Sequence, residues 1–185
     1  INFVKSQEPR PYSVMAEARV MDVNRQAWAA STSLLVHPST LYVGLRSQVT
    51  FVAPGDPVKV EAIVTDVDGN AVADRQASLR MIRKTWTFTD GNWIEVEADE
   101  QKCEITSAAE PVPCTFETTE GGEYHIFADV RDDAERLNRT EIQFWVAGGG
   151  SVPARNVSQE QVLLIPDQKD YQPGDVARVL VQAPF

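Results

Sequence analysis

The chain has 185 residues, of which 43% are hydrophobic and 24% charged, with a formal net charge of −10. That length holds one large or two small domains, and the composition is ordinary for a globular protein. The negative charge excludes the basic footprint that nucleic acid or an anionic membrane surface requires. No apolar run approaches the roughly 18 residues of a membrane span.

Residues 1–11 include Glu8-Pro9-Arg10-Pro11, which discourages regular structure. Tyr12, Val14, Ala16, Ala18 and Val20 then alternate with polar or small residues and predict a strand. Asp22-Val23-Asn24-Arg25 predicts a turn, and a second strand runs through 31–36 to His37-Pro38. A fresh unit begins at Thr40, with strands predicted over 41–45, 57–67, 76–84, 85–89, 93–97, 101–106, 113–117, 123–131 and 138–146. Asp90-Gly91-Asn92 closes a tight hairpin that brings Trp86 and Phe88 opposite Trp93. Residues 148–159 are poor in large apolar side chains and predict a linker. Val162–Ile165 and Val176–Gln182 then form one more hairpin.

Turn signals recur every 8–12 residues and no long window carries a 3.6-residue apolar period, so the fold class is all-β, built of antiparallel sandwiches. Two echoes organise it. Pro54-Gly55-Asp56 leads into a strand with Val58, Val60, Ala62 and Val64 on one face, and Pro173-Gly174-Asp175 repeats the entry about 119 residues later. Tyr12-Ser13-Val14-Met15-Ala16 matches Tyr124-His125-Ile126-Phe127-Ala128 about 112 apart, while strands ending at Val36 and Val146 are 110 apart. The economical account is serial units: 1–37 closes one, 39–147 is complete, 148–159 links, and 160–185 opens a third. Its core candidates are Val58, Val60, Val64, Leu79, Trp86, Trp93, Phe116, Tyr124, Ile126, Phe144 and Trp145. Gly122-Glu123-Tyr124 carries the spacing of a tyrosine corner. The chain starts without Met or leader and stops at Phe185, so it reads as an excised piece.

Cys103 and Cys114 flank a Pro-containing loop between strand-like segments, where a disulfide across a hairpin is geometrically natural. Such a bond adds about 3 kcal/mol in the chain-entropy model and implies an oxidising compartment. Two buried free thiols are the other reading.

Chemistry is scarce. His37 and His125 are the only histidines, and neither has a nucleophile at workable spacing, so both read as packed or surface side chains. No catalytic residue is assigned, and no nucleophile elbow, phosphate loop or His-Glu-x-x-His occurs. Asp66, Asp68 and Asn70 invite a calcium reading but lack the other ligands of a calcium loop. Asp132, Asp133 and Glu135, between Arg131 and Arg136, read as a solvated hairpin tip. No metal or cofactor is assigned. Arg80, Arg83 and Lys84 form the nearest basic cluster, on a solvated strand face. Asn138 and Asn156 open glycosylation sequons.

Leu164-Ile165-Pro166-Asp167 and Tyr171-Gln172-Pro173-Gly174-Asp175-Val176-Ala177, running to Pro184-Phe185, resemble the opening of the bait-region domain of bacterial α2-macroglobulins. Tyr42-Val43-Gly44-Leu45, the Asp66–Gly69 turn, the cysteine pair, Gly121-Gly122-Glu123-Tyr124 and Phe144-Trp145-Val146-Ala147-Gly148 resemble the preceding macroglobulin-like domain. The resemblance implies serial Ig-like, macroglobulin-like β-sandwiches and a secreted or periplasmic, non-enzymatic, broad inhibitor that traps peptidases after they cut the bait. The implied partners are neighbouring domains of the same chain and, through the full-length protein, peptidases. A lipid anchor, where the parent has one, lies outside this stretch. The bait would follow Phe185. No Cys-x-Glu-Gln thioester motif is present: Glu100-Gln101-Lys102-Cys103 has the wrong order. The competing expectations are an Ig-like adhesion module and an accessory sandwich of a carbohydrate-active enzyme, using Trp86, Trp93 and Tyr42 as a sugar platform.

Overall fold

The computed structural model describes residues 9–148, 162–168 and 170–182. The predicted linker and the Asn156 sequon therefore lie almost wholly outside the described residues. Among those described, all regular structure is strand.

The central unit is a sandwich of two sheets. One contains β3 (Leu41–Ser47), β5 (Val58–Asp66) and β8 (Val112–Phe116), with β5 in the middle. The other has the order β4-β10-β9-β6-β7, formed by β4 (Phe51–Val52), β6 (Gln76–Thr89), β7 (Asn92–Thr106), β9 (Gly122–Arg131) and β10 (Leu137–Val146). Every neighbouring pair is antiparallel except β4, which runs parallel to β10. Alternation explains the layering. Val58, Val60, Ala62 and Val64 point inward from β5, and Ala77, Leu79 and Met81 do so from β6. Tyr124, Ile126, Ala128 and Val130 answer from β9. Each large side chain buried in this way contributes about 1.5–3 kcal/mol.

Two core candidates fail and one is half-buried. Trp86 and Trp93 are each 37% exposed, and Trp145 lies between the two states. The physical reason is strand length. Predicted strands 76–84 and 85–89 are one strand, as are 93–97 and 101–106, so the hairpin of β6 and β7 runs beyond the sandwich. The ladder between β6 and β9 ends at Lys84↔Glu123, whereas β6 continues to Thr89. A register shift between Met81 and Arg83 marks the departure, with Asp99 at a φ of 54° on the facing strand.

Two further hairpins flank the sandwich. β1 (Tyr12–Met21) pairs with β2 (Ala27–Val36), and β11 (Leu163–Pro166) pairs with β12 (Val179–Gln182). The first exposes Met15, Met21, Trp28 and Leu35. Its register revises the repeat read from sequence. Tyr12↔Val36 moved by 110 residues becomes Gly122↔Val146, and Met21↔Ala27 becomes Arg131↔Leu137, so the whole β1–β2 ladder maps onto β9–β10. Tyr12 therefore corresponds to Gly122, and it is Val14 that takes the place of Tyr124.

Candidate functional site

The residues that could carry chemistry lie in turns and joints. Asp22, Asp66 and Asp132 each open the same hairpin turn. One carboxylate oxygen accepts from the backbone N–H groups two and four residues on, at 2.8–3.0 Å. The residue three places on is left-handed: Arg25 at 64°, Gly69 at 88° and Glu135 at 59°. At Asp66 the second oxygen accepts from the Asn70 side chain at 3.0 Å. That bond leads the effects holding the carboxyl below its ordinary range. The calcium reading therefore gives way to an Asx turn, and the described residues contain no cluster of His, Cys, Asp or Glu able to hold a metal.

Asp132 does more than its two counterparts. It is 4% exposed, so it is a buried carboxylate and not the solvated tip the sequence suggested. Its second oxygen accepts from the Thr40 N–H at 3.0 Å, the Thr40 and Ser39 hydroxyls at 3.1 and 3.2 Å, and Arg136 Nε at 2.8 Å. Burial works against its charge. The Thr40 N–H and the Arg136 guanidinium outweigh burial and drive the carboxyl far below the ordinary range. The stretch that leaves β2 is thereby fixed to the β9–β10 turn.

The stretch that enters β1 is fixed nearby. Asn138 is 1% exposed. Its side-chain oxygen accepts from Val43 N at 3.0 Å and its amide donates to the Pro9 carbonyl at 3.4 Å. The Arg139 N–H donates to the same carbonyl at 3.1 Å, and Arg10 pairs with Glu141 at 3.1 Å. A buried, doubly engaged Asn138 is closed to glycosylation in the folded chain. His125, 5% exposed, has Glu141 at 2.6 Å from Nδ1 and Glu123 at 2.7 Å from Nε2. His37 Nδ1 lies 2.6 Å from the Tyr42 hydroxyl. His125 is thus a packed side chain and His37 an exposed one.

The Tyr124 hydroxyl donates to the Glu120 carbonyl at 2.9 Å, and its ring stacks on Phe144 at 5.4 Å. This is the bond expected of a tyrosine corner. Cys103 and Cys114 form a disulfide with a Cα–Cα distance of 6.5 Å. It does not cross a hairpin: β7 and β8 are edge strands of different sheets, so the bond staples the sandwich along its side. The sugar platform is not assembled. Tyr42 lies on the three-stranded sheet, whereas Trp86 and Trp93 lie on the β6–β7 ribbon of the other.

Taken together, these features define an antiparallel Ig-like sandwich with a tyrosine corner and an inter-sheet disulfide, flanked by a hairpin that repeats its own closing hairpin. In sequence the chain is related to the α2-macroglobulins, as its motifs imply. Over 187 residues, 96% of this chain, it is 27% identical to an alpha-2-macroglobulin homolog from a Nostoc species. The chain spans 10% of the length of that relative. No protein-family model matches it. Among solved structures, native E. coli alpha-2-macroglobulin is similar over 94% of this chain and 12% of its own, at 18% identity and a TM-score of 0.49. Salmonella alpha-2-macroglobulin reacted with methylamine is similar over 96% and 12%, again at 18% identity and 0.49.

Proposed function

We propose that this chain is a non-catalytic scaffold of a broad-spectrum, peptidase-trapping α2-macroglobulin-like protein, positioning the domain that bears the bait region. In this reading 1–37 closes one macroglobulin-like domain, 39–147 is a complete one, and 160–185 opens the bait-bearing domain after a 148–159 linker. The bait follows Phe185, and the parent works in the periplasm or outside the cell. The observation that carries the reading is the sequence relationship over 96% of the chain.

Several features support it. The 110-residue shift that overlays two hairpins is what serial domains produce. A lone two-stranded hairpin is marginal in water, so the exposed face of β1–β2 that carries Val20, Trp28 and Leu34 fits one half of a sandwich. The disulfide suits an oxidising compartment. Polar clamps at both ends of β1–β2 suit an element whose work is to hold orientation.

The test uses the full-length parent. Incubated with several endopeptidases, it should be cut first in the segment following Phe185 and then protect the bound peptidase from large substrates while small ones are still hydrolysed. Cleavage elsewhere, or no shielding after cleavage, overturns the reading.

A further inference from the structure

Beyond Lys84 both edges of the β6–β7 ribbon lack a neighbour among the described residues, and the β6 edge is the unprotected one. We propose that this edge, Thr85–Thr89, is a docking site for an extended polypeptide strand, uncharged in its centre and basic at its ends. The strand adds antiparallel to β6, in line with β9.

The first ground is continuity. β9 accompanies β6 from Ala77↔Val130 to Lys84↔Glu123 and stops there. The next five residues of β6 extend the same hydrogen-bonding edge. The second ground is backbone direction. Asp90 and Gly91, at φ of 50° and 78°, form a two-residue loop of the type with both central residues left-handed. Thr89 and Asn92 then make the first hydrogen-bonded pair, so Thr85, Thr87 and Thr89 turn their polar groups towards β7. Trp86 and Phe88 turn their N–H and C=O groups outward.

The third ground is how differently the ribbon's two edges are treated. Free edges are normally blunted by charge, proline or a bulge. The β7 edge carries Glu95 and Glu97 and a left-handed Asp99. Thr85-Trp86-Thr87-Phe88-Thr89 has none of these protections. A strand laid beside it finds Phe88, 59% exposed, between Trp86 and Trp93 on one face.

Charge selects the occupant. Asp90 sits at the tip, and Glu123 stands where β9 begins, beside Glu120, which already pairs with Arg83 at 2.7 Å; Lys84 pairs with Glu95 at 3.2 Å, so carboxylates still outnumber cations around this edge. Basic ends on the incoming strand face these carboxylates. A second copy of the chain fits poorly. Its own tip would have to stop short of Glu123, leaving Asp90 of one copy beside Trp86 of the other, and both copies carry −10.

The probe is the synthetic peptide Lys-Thr-Val-Thr-Val-Thr-Lys, added to the full 185-residue chain while amide hydrogen exchange is followed by NMR. Saturating peptide should slow exchange at Trp86 and Phe88 at least tenfold and leave Thr85 and Thr87, already bonded to β7, little changed. Phe88→Pro removes an outward N–H while sparing the inward ladder, and should weaken binding at least tenfold. A peptide N-methylated on its pairing edge should lose binding on unaltered protein, and the same sequence with Glu ends should bind several-fold more weakly. Unslowed exchange at Trp86 and Phe88 overturns the proposal, as does equal affinity for the N-methylated peptide. So does slowing that grows with protein concentration without peptide, because a second copy would then be the occupant.

Discussion

Tyr124 and Asp132 are two buried side chains whose polar atoms are held by named partners, one by a local bond and one by distant ones. Tyr124→Phe removes only the bond to the Glu120 carbonyl. It should lower stability by about 1 kcal/mol, read as a shifted denaturant midpoint with an unchanged slope. Asp132 is more consequential because six donors converge on it. Its folded pKa is depressed, so its stabilisation is complete above its ordinary value of 3.8 and is lost as pH falls below that. An acid titration of stability should therefore steepen below about pH 4, and Asp132→Ala should be less stable at pH 7 by about 3 kcal/mol, with a flatter acid limb. Only part of this was legible in the sequence. The aspartates opening three turns were visible as turn residues, and Gly122-Glu123-Tyr124 announced its corner by spacing. The left-handed Arg25 and Glu135 gave no sign, because neither residue type favours that conformation. The grip of Asp132 on Ser39 and Thr40 joins residues 92 and 93 apart, and no local pattern records such a pairing.

At the scale of elements, the strands were legible and their joins were not. Val58 to Val64 alternated as a half-buried strand does, and the structure buries all four inward residues. The divisions placed near Lys84 and between 97 and 101 were wrong. A bulge lets a strand change direction without ending, and sequence reads the change as a break. The disulfide was paired correctly, but its setting was misjudged because sequence proximity suggests a hairpin while β7 and β8 belong to opposite sheets. Replacing both Cys103 and Cys114 by serine should cost about 3 kcal/mol and should fray β8 first. The check is hydrogen exchange, where Phe116, paired with Val58, should lose protection before Ile126 does.

The whole molecule contains one ladder twice, in two environments. β1–β2 and β9–β10 have equal length and register, yet only the second is covered by a facing sheet. Backbone pairing alone does not hold two strands in water. Amides of β9–β10 should therefore exchange only on global unfolding, while those of β1–β2 exchange orders of magnitude faster in the same sample. Equal protection of the two would show that β1–β2 is covered by something else. The period itself was half legible. Aromatic matching put Tyr12 on Tyr124 and missed by two residues, since a strand's sequence tolerates sliding by one full pleat better than its hydrogen bonds do.

The buried Asp132 carboxylate also has a mechanical meaning. It ties the turn joining β9 to β10 and the residues that follow β2 to a single point. A pull along the chain that separates β2 from β3 is resisted first by this anion, before any sheet is asked to shear. The joint should thus behave as a catch that stays rigid up to a threshold load and then gives way at once. Strong acid, by protonating the anion, would loosen that catch and leave the bonds of Pro9 and Arg10 to β10 as the remaining hold.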